Sequence, residues 1–192
     1  MKYPLWLLLC IPVTTALAQA SIAPWTLEQS MQARAAVKAE DATFREQKQL
    51  AILQQPLVTT GTLQYRAPAY VRKQTLQPHQ ETYEIDGDWL TIETPTEGRR
   101  QFYLPGYPLL RAFAEAIRAT LAGDLEALER YYQVQLQGQS AAWTLRLQPT
   151  NQEMAEHVSA ILIRGQDERV LSVETLETGG DRSLMTVEPQ AR

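Results

Sequence analysis

Short segments of alternating apolar and polar residues recur along most of the chain, and turn residues separate each segment from the next. The clearest turn is Asp86-Gly87-Asp88, which lies between the alternating segments 81–85 and 89–93. Asp-Gly between two such segments is typical of a two-residue hairpin turn. Because a short turn joins neighbouring strands only when they run antiparallel, the pattern predicts a fold built on one large antiparallel sheet.

The expected strands follow from the alternation and from the proline and glycine residues that interrupt it. Pro56 ends the first strand, Pro68 and Pro78 bound the third, and Pro105 with Gly106 ends the sixth. In chain order the expected strands span residues 42–53, 59–66, 70–76, 81–85, 89–93, 100–104, 133–137, 143–148, 160–164, 170–176 and 182–188.

Helical spacing replaces the alternation at a few places. Thr26 and Gln29 have the spacing of a capping box, which predicts a helix that reaches about residue 38. Pro108 suits a first helical turn, and the apolar stripe after it predicts a helix over 108–121. This helix is expected to pack on the sheet and is also a candidate lid over a cavity. Shorter helices are expected over 125–131 and 152–157. Without a βαβ rhythm, this order predicts one α+β domain.

The N-terminal segment has the features of a secretory signal peptide. Lys2 supplies a positive charge, and residues 5–13 form an apolar run that is too short to span a membrane. Small residues at the expected positions favour cleavage after Ala20, with cleavage after Ala18 as the alternative. We therefore expect residues 1–20 to be removed and residues 21–192 to form a periplasmic domain.

Cys10 is the only cysteine, and it lies inside the apolar run. Leu9 precedes it where a lipidation site needs a small residue, so we interpret Cys10 as part of the removed segment. The remaining chain would then contain no disulfide, thiolate ligand or cysteine nucleophile. Removal of Lys2 leaves 17 basic residues against 22 acidic ones, a net charge of −5. An acidic chain without a basic cluster argues against nucleic-acid binding and against docking on anionic lipid headgroups.

Motifs that carry enzyme chemistry are absent from the sequence. Gly138-Gln139-Ser140 begins like a nucleophile elbow but continues with two alanines, and no phosphate-binding glycine motif occurs. His79 and His157 lie far apart in sequence, which gives no metal-ligand spacing. We therefore expect neither an enzyme nor a bound metal or cofactor.

Three charged residues on expected strands leave two interpretations open. Glu46 and Lys48 share one strand face with apolar residues. If that face lines a concave surface, the two charges need each other or a ligand; otherwise the face is solvent-exposed. Arg72 raises the same question, because an arginine beside an apolar cavity can hold a carbonyl or phosphate, or can extend to the surface.

The order and spacing of these residues resemble the LolA-like family of outer-membrane lipoprotein carriers, over essentially all of residues 21–192. The resemblance is carried by Phe44-x-Glu46-x-Lys48, Gly61-x-Leu63-x-Tyr65, Tyr70-Val71-Arg72, Ile85-x-Gly87-x-x-Leu90-x-Ile92, Trp143-x-Leu145-x-Leu147-x-Pro149 and Ile161-x-Ile163-x-Gly165. It implies a sheet curved into an incomplete β-barrel, with helices covering the concave side and a hydrophobic cavity for acyl chains. Ala67-Pro68 and Lys73 depart from the usual family pattern. In these departures the sequence is closer to the LolA-related proteins that are presumed to carry other acylated products.

The resemblance also implies a function and a site. The chain is expected to be a monomeric periplasmic carrier or chaperone that receives acylated cargo from an inner-membrane donor and delivers it to an outer-membrane receptor. A lipid-sensing or protein-interaction module of the same fold is the alternative, and an envelope hydrolase is disfavoured. Arg72 matches a position that helps to control the lid in family members. With strand parity, the resemblance predicts a lipid-binding set of Phe44, Leu50, Leu63, Tyr65, Arg72, Leu90, Ile92, Phe113 and Ile117.

Overall fold

Eleven strands pair in one antiparallel sheet in the computed structural model, which describes residues 25–190. The predicted signal peptide lies outside the described residues. The strands are β1 (Ala39–Gln49), β2 (Leu57–Arg66), β3 (Tyr70–Gln77), β4 (Glu81–Asp86), β5 (Trp89–Thr94), β6 (Gly98–Tyr103), β7 (Tyr132–Gln139), β8 (Ala142–Pro149), β9 (Val158–Gln166), β10 (Arg169–Glu177) and β11 (Arg182–Pro189).

The strand order is β6-β5-β4-β3-β2-β1-β11-β10-β9-β8-β7, so two meanders meet where β1 pairs with β11. Phe44 lies opposite Val187 at this junction. Strands β6 and β7 are the two edges, and the sheet therefore remains open. The predicted α+β fold, a large curved antiparallel sheet with helices on its concave side, is confirmed.

Four α-helices accompany the sheet in the described residues: α1 (Leu27–Ala36), α2 (Pro108–Ala122), α3 (Leu125–Glu129) and α4 (Gln152–Ala155). Helix α2 contacts the other three and a 3-10 turn at Leu104–Gly106. Within residues 25–190, no helix has both the length and the apolar character needed to cross a membrane.

The helix caps predicted at Thr26, Gly123 and Asp124 are present in the structure, although α1, α3 and α4 each end about two residues earlier than predicted. Thr26 and Gln29 form the reciprocal capping box: the Thr26 hydroxyl accepts from the Gln29 N–H at 3.2 Å, and the Gln29 side chain accepts from the Thr26 N–H at 3.0 Å. Gly123 ends α2 in the left-handed conformation with φ of 69°. Asp124 then caps α3 by accepting from the Ala127 N–H at 3.0 Å.

Strand β1 differs from its predicted bounds. It begins at Ala39 and ends at Gln49, so the prediction of a strand through residue 53 is wrong. Beyond Lys48, which pairs with Leu57, β2 offers no further partner. Alternation alone does not make a strand where no neighbour supplies backbone hydrogen bonds.

The core consists of two hydrophobic clusters that both contact α2. The larger one joins α2 and α3 to β7, β8 and β9, and Leu128, Leu145 and Leu147 are fully buried in it. The smaller one lies on the β2–β5 half of the sheet; its buried members are Tyr65, Val71, Ile85, Leu90, Leu104 and Ala114. Because α2 contributes side chains to both clusters, it is the element that fills the open barrel.

A buried cation holds α1 in place. Arg34 is only 1% exposed. Its guanidinium donates to the Glu40 carboxylate at 3.0 Å, to the Glu168 carbonyl at 2.6 Å and to the Leu121 carbonyl at 3.1 Å. One side chain therefore connects α1 to β1, to the β9–β10 turn and to the C-terminal turn of α2. A buried charge is tolerated in a fold when it is paired and hydrogen-bonded in this way.

Candidate functional site

An apolar cavity of about 110 Å³ lies between α2 and the sheet. Strands from both meanders and one side of α2 form its walls. The register explains why: Ala42 pairs with Leu63, which pairs with Lys73, so these three side chains lie on one face of the sheet. The lining residues are Glu40, Ala42, Leu63, Gln64, Tyr65, Val71, Lys73, Ala116, Ile117, Thr120, Leu121, Ile161, Ile163, Val170, Val173, Met185 and Val187.

The structure brings three of the sequence-predicted site residues together at this cavity. Leu63 and Tyr65 contribute from β2, and Ile117 contributes from α2. Tyr65 is 3% exposed, whereas Ile117 is 43% exposed and therefore lies where the cavity meets solvent.

Four other predicted residues belong to the surrounding packing. Phe44 lies on β1 next to the cavity, where it packs over Gly61 and under the Lys73 ammonium. Leu90 is part of the smaller core cluster and Ile92 packs against it. Phe113 packs against the larger cluster. They are not part of the lining.

The last two predicted residues lie elsewhere. Leu50 follows the end of β1, outside the sheet. Arg72 lies on the opposite face of β3 from Lys73, because successive side chains of a strand alternate between faces. Its register partners are Gln64 and Glu84. The cation at the cavity is therefore Lys73, one residue further along the chain.

Sequence reasoning missed the contribution of the C-terminal strands. Met185 and Val187 of β11 and Val173 of β10 line the cavity together with residues of β1 and β2. Their alternation is visible in the sequence, but the pairing of β1 with β11 is not. Without that pairing, nothing placed these residues beside Leu63.

A cluster of polar groups interrupts the apolar surface next to the cavity. Lys73 forms a salt bridge with Glu46, and its ammonium lies 5.0 Å from the centroid of the Phe44 ring. The Ser183 hydroxyl donates to the other Glu46 oxygen at 2.6 Å. Lys48 pairs instead with Glu177 at 3.4 Å. Glu46 is thus satisfied by β3 and β11 and does not depend on its sequence neighbour for a salt bridge.

The electrostatics of this cluster favour the ionised form of Glu46. Burial raises the pKa of Glu46, but the charge and hydrogen bond of Lys73 act in the opposite direction. The hydrogen bond of Ser183 and the charge of Lys48 add to that effect, and the pKa of Glu46 falls below its usual value. The concave face therefore combines an apolar cavity with the Lys73–Glu46 ion pair, whose two charges offset each other.

The geometry favours binding of an apolar group. The surface that the lining residues present to the cavity is almost entirely apolar, and among the described residues no group of three His, Cys, Asp or Glu side chains is arranged to hold a metal ion. A cavity of about 150 Å³ accommodates benzene, so the present 110 Å³ has room for only a few carbon atoms.

A family model described as outer membrane lipoprotein carrier protein LolA-like matches residues 15–190. No curated protein matches the chain at a significant level.

Solved structures that are similar to this chain include the following three. A LolA superfamily protein from Nitrosomonas europaea is 8% identical, with 86% of this chain and 91% of that chain covered, at a TM-score of 0.48. A putative outer membrane lipoprotein-sorting protein domain from Vibrio parahaemolyticus is 9% identical, with 86% of this chain and 91% of that chain covered, at a TM-score of 0.47. The Pseudomonas aeruginosa MucA/MucB complex contains a chain that is 14% identical, with 86% of this chain and 56% of that chain covered, at a TM-score of 0.41.

Proposed function

Because the chain belongs to the LolA-like family of outer membrane lipoprotein carrier proteins, we propose that it is a periplasmic carrier of acylated cargo. The acyl chain of a lipoprotein, or of another lipid-linked molecule, occupies the cavity between α2 and the sheet, and the protein moves this cargo toward the outer membrane. The observation that supports the proposal most strongly is the aliphatic lining of that cavity. No chemical step is involved.

Burial of hydrocarbon supplies the binding free energy. Each methylene removed from water contributes about 0.8 kcal/mol. In this proposal an entering acyl chain contacts Ile117 first, where the cavity meets solvent, and then Leu63 and Tyr65 inside the cavity. Because the cavity holds only a few carbon atoms as it stands, the rest of the chain must displace α2.

Displacement of α2 would uncover more apolar surface. The smaller core cluster packs against Ala114 and Leu110 of α2, so Leu90 and Ile92 become accessible when the helix moves. Phe113 moves with the helix itself. We therefore propose that Phe44, Leu90, Ile92 and Phe113 contact the cargo in the loaded state, in which α2 has moved, and not in the closed state.

The polar part of the cargo would lie at the Lys73–Glu46 pair. An ammonium and a carboxylate beside an apolar cavity offer a hydrogen-bond donor and an acceptor to a head group, such as an amide or ester carbonyl. Lys73 takes the role that the sequence suggested for Arg72, because Lys73 is the cation that faces the cavity.

The first experiment is native mass spectrometry of the protein purified after export, followed by extraction of any bound lipid. A co-purifying acylated species supports the proposal and identifies the cargo. An empty protein that also fails to bind a fluorescent fatty acid contradicts it and favours a protein-interaction module.

A matched pair of variants tests the site itself. Ile117→Asp places a charge at the cavity, whereas Leu171→Asp makes the same change at a residue of β10 that is 39% exposed and does not line it. Full burial of an aliphatic side chain contributes about 1.5–3 kcal/mol. Because Ile117 is 43% exposed and cargo would cover that part, Ile117→Asp should weaken fatty-acid binding at least about three- to tenfold. Equal affinities of the two variants would remove this cavity from the proposal.

A further inference from the structure

The connection between β1 and β2 exposes an unusual amount of aliphatic surface. This segment, residues 50–56 together with Leu57, the first residue of β2, is here named the apolar loop. Ile52 is 88% exposed, Leu57 is 51% exposed and Leu53 is 41% exposed. Single exposed aliphatic residues are common on protein surfaces, but several on one short segment indicate an interaction site.

Charge is absent from the apolar loop and from its surroundings in the sequence. No acidic or basic residue occurs from Gln49 to Gln64. The nearest charged residues along the chain are Lys48 on β1 and Arg66 at the end of β2. The loop therefore presents aliphatic side chains and uncharged glutamines without the charged residues that usually keep a surface loop in water.

The loop is held in place by hydrogen bonds. The Ala51 N–H donates to the Asp181 carboxylate at 2.8 Å, which ties the loop to the β10–β11 turn. The Leu53 N–H donates to the Leu50 carbonyl at 3.0 Å, which closes a turn. The exposed side chains are thus displayed by a hydrogen-bonded loop.

A further aliphatic residue lies at the same end of the barrel. Leu76, near the end of β3, is 44% exposed. Its neighbour Gln77 pairs with Thr60, only a few residues from Leu57 on β2. Four large aliphatic side chains are therefore exposed at one end of the sheet.

The chemistry of these residues favours a lipid bilayer over a protein partner. Energetically important residues of protein interfaces are enriched in Trp, Tyr and Arg, while Leu is under-represented. The apolar loop contains none of the enriched types. Branched aliphatic side chains on a segment without charges of its own can enter the hydrocarbon just below the lipid headgroups, while the loop backbone and the nearby Asp181 carboxylate stay in the hydrated headgroup layer.

We propose that the apolar loop docks the protein on a membrane surface, with Ile52 and Leu53 inserted among the acyl chains. Anionic lipid is not required, because the loop carries no cationic charge of its own. The loop follows directly on the end of β1 that carries Glu46, so the docked end of the barrel is the end beyond the Lys73–Glu46 pair. Membrane docking is separate from cargo binding, and neither depends on the other.

The test is flotation of the full chain, expressed with its own N-terminal segment and purified after export, with vesicles of phosphatidylcholine. The wild-type protein should float with the vesicles, and Ile52→Asp should lower the bound fraction by at least about tenfold. Leu171→Asp, the matched change of an exposed aliphatic residue elsewhere, should float like the wild type.

A direct measurement of insertion uses a cysteine introduced at position 52. Cys10, the only cysteine of the sequence, lies in the segment expected to be removed on export, so the introduced cysteine can be labelled alone with an environment-sensitive fluorophore. Its emission should shift to the blue when phosphatidylcholine vesicles are added, and a label at position 171 should not respond. An unchanged emission at position 52 overturns the proposal.

Two further outcomes are decisive. Wild-type protein that does not float, or Ile52→Asp that floats like the wild type, refutes docking through this loop. Fatty-acid binding separates this inference from the carrier proposal: Ile52→Asp should bind fatty acid normally, and Ile117→Asp should float normally while binding fatty acid weakly. Each proposal can therefore fail without the other.

Discussion

Arg34 offers the sharpest test of how the helices are held on the sheet. Replacement by Met keeps a long apolar side chain but removes every donor of the guanidinium. The Glu40 carboxylate and the carbonyls of Glu168 and Leu121 then lose their hydrogen bonds from Arg34. The burial of the site, with Arg34 at 1% exposed, limits how far water can substitute.

The size of the effect follows from this geometry. A hydrogen bond to a charged group contributes about 1.5–3 kcal/mol, and three such bonds are not additive. Removal of one partner of a buried charged pair typically destabilises by about 3–5 kcal/mol. We therefore expect Arg34→Met to lower the free energy of unfolding by about 3–5 kcal/mol. For a domain of this size that corresponds to a fall in Tm of roughly 6–20 °C.

Urea unfolding followed by tryptophan fluorescence and by circular dichroism measures this change. The control is Arg130→Met, which breaks an exposed helical pair with Glu126 and should leave the urea midpoint nearly unchanged. If Arg34→Met were within about 1 kcal/mol of the wild type, the buried guanidinium would not stabilise the α1 contact as argued.

Two more variants test the end of α2 and the charged pair. Gly123→Ala should destabilise the fold by at least about 1–2 kcal/mol, because φ is 69° and an added Cβ would lie 2.1 Å from the Met31 carbonyl oxygen. Gly179→Ala, which meets no atom within 4 Å, should leave the urea midpoint nearly unchanged, and equal midpoints for both variants would contradict this reasoning. Glu46→Gln should be less stable than the wild type near neutral pH, since the pKa of Glu46 is lowered from 4.5 in the fold, chiefly because Lys73 opposes the effect of burial. The difference in stability between Glu46→Gln and the wild type should shrink as the pH falls below about 4.5, where the wild-type carboxylate becomes protonated and loses its charge. A difference that stays constant from pH 7 down to pH 3 would contradict this reasoning.

Much of the candidate site was predictable from strand parity. Leu63 and Tyr65 share a face because they lie two residues apart on a strand, and both line the cavity. The same rule fails for Leu50, since β1 has already ended. The family resemblance suggested Arg72 as the cation of the site. Strand alternation instead places Lys73, the next residue, on the face that lines the cavity. A register difference of one residue exchanges the two faces of a strand, so small displacements have large consequences.

The partner of Glu46 illustrates a second limit. The sequence suggests Lys48, two residues away, because only near neighbours are visible in a linear pattern. In the structure Glu46 pairs with Lys73 and accepts from Ser183, which lies on β11. Ser183 comes beside Glu46 because β11 pairs with β1, and Lys73 reaches Glu46 from β3 across the intervening strand β2.

The sequence by itself determined the strand and helix content, the hairpin at Gly87 and the caps at Thr26 and Gly123. These features depend on interactions within a few residues, which a local pattern records. Only the tertiary structure decided the pairing of β1 with β11, the walls of the cavity and the burial of Arg34. Those features join residues from opposite ends of the chain, and whether two such segments meet depends on how the whole sheet and α2 pack together.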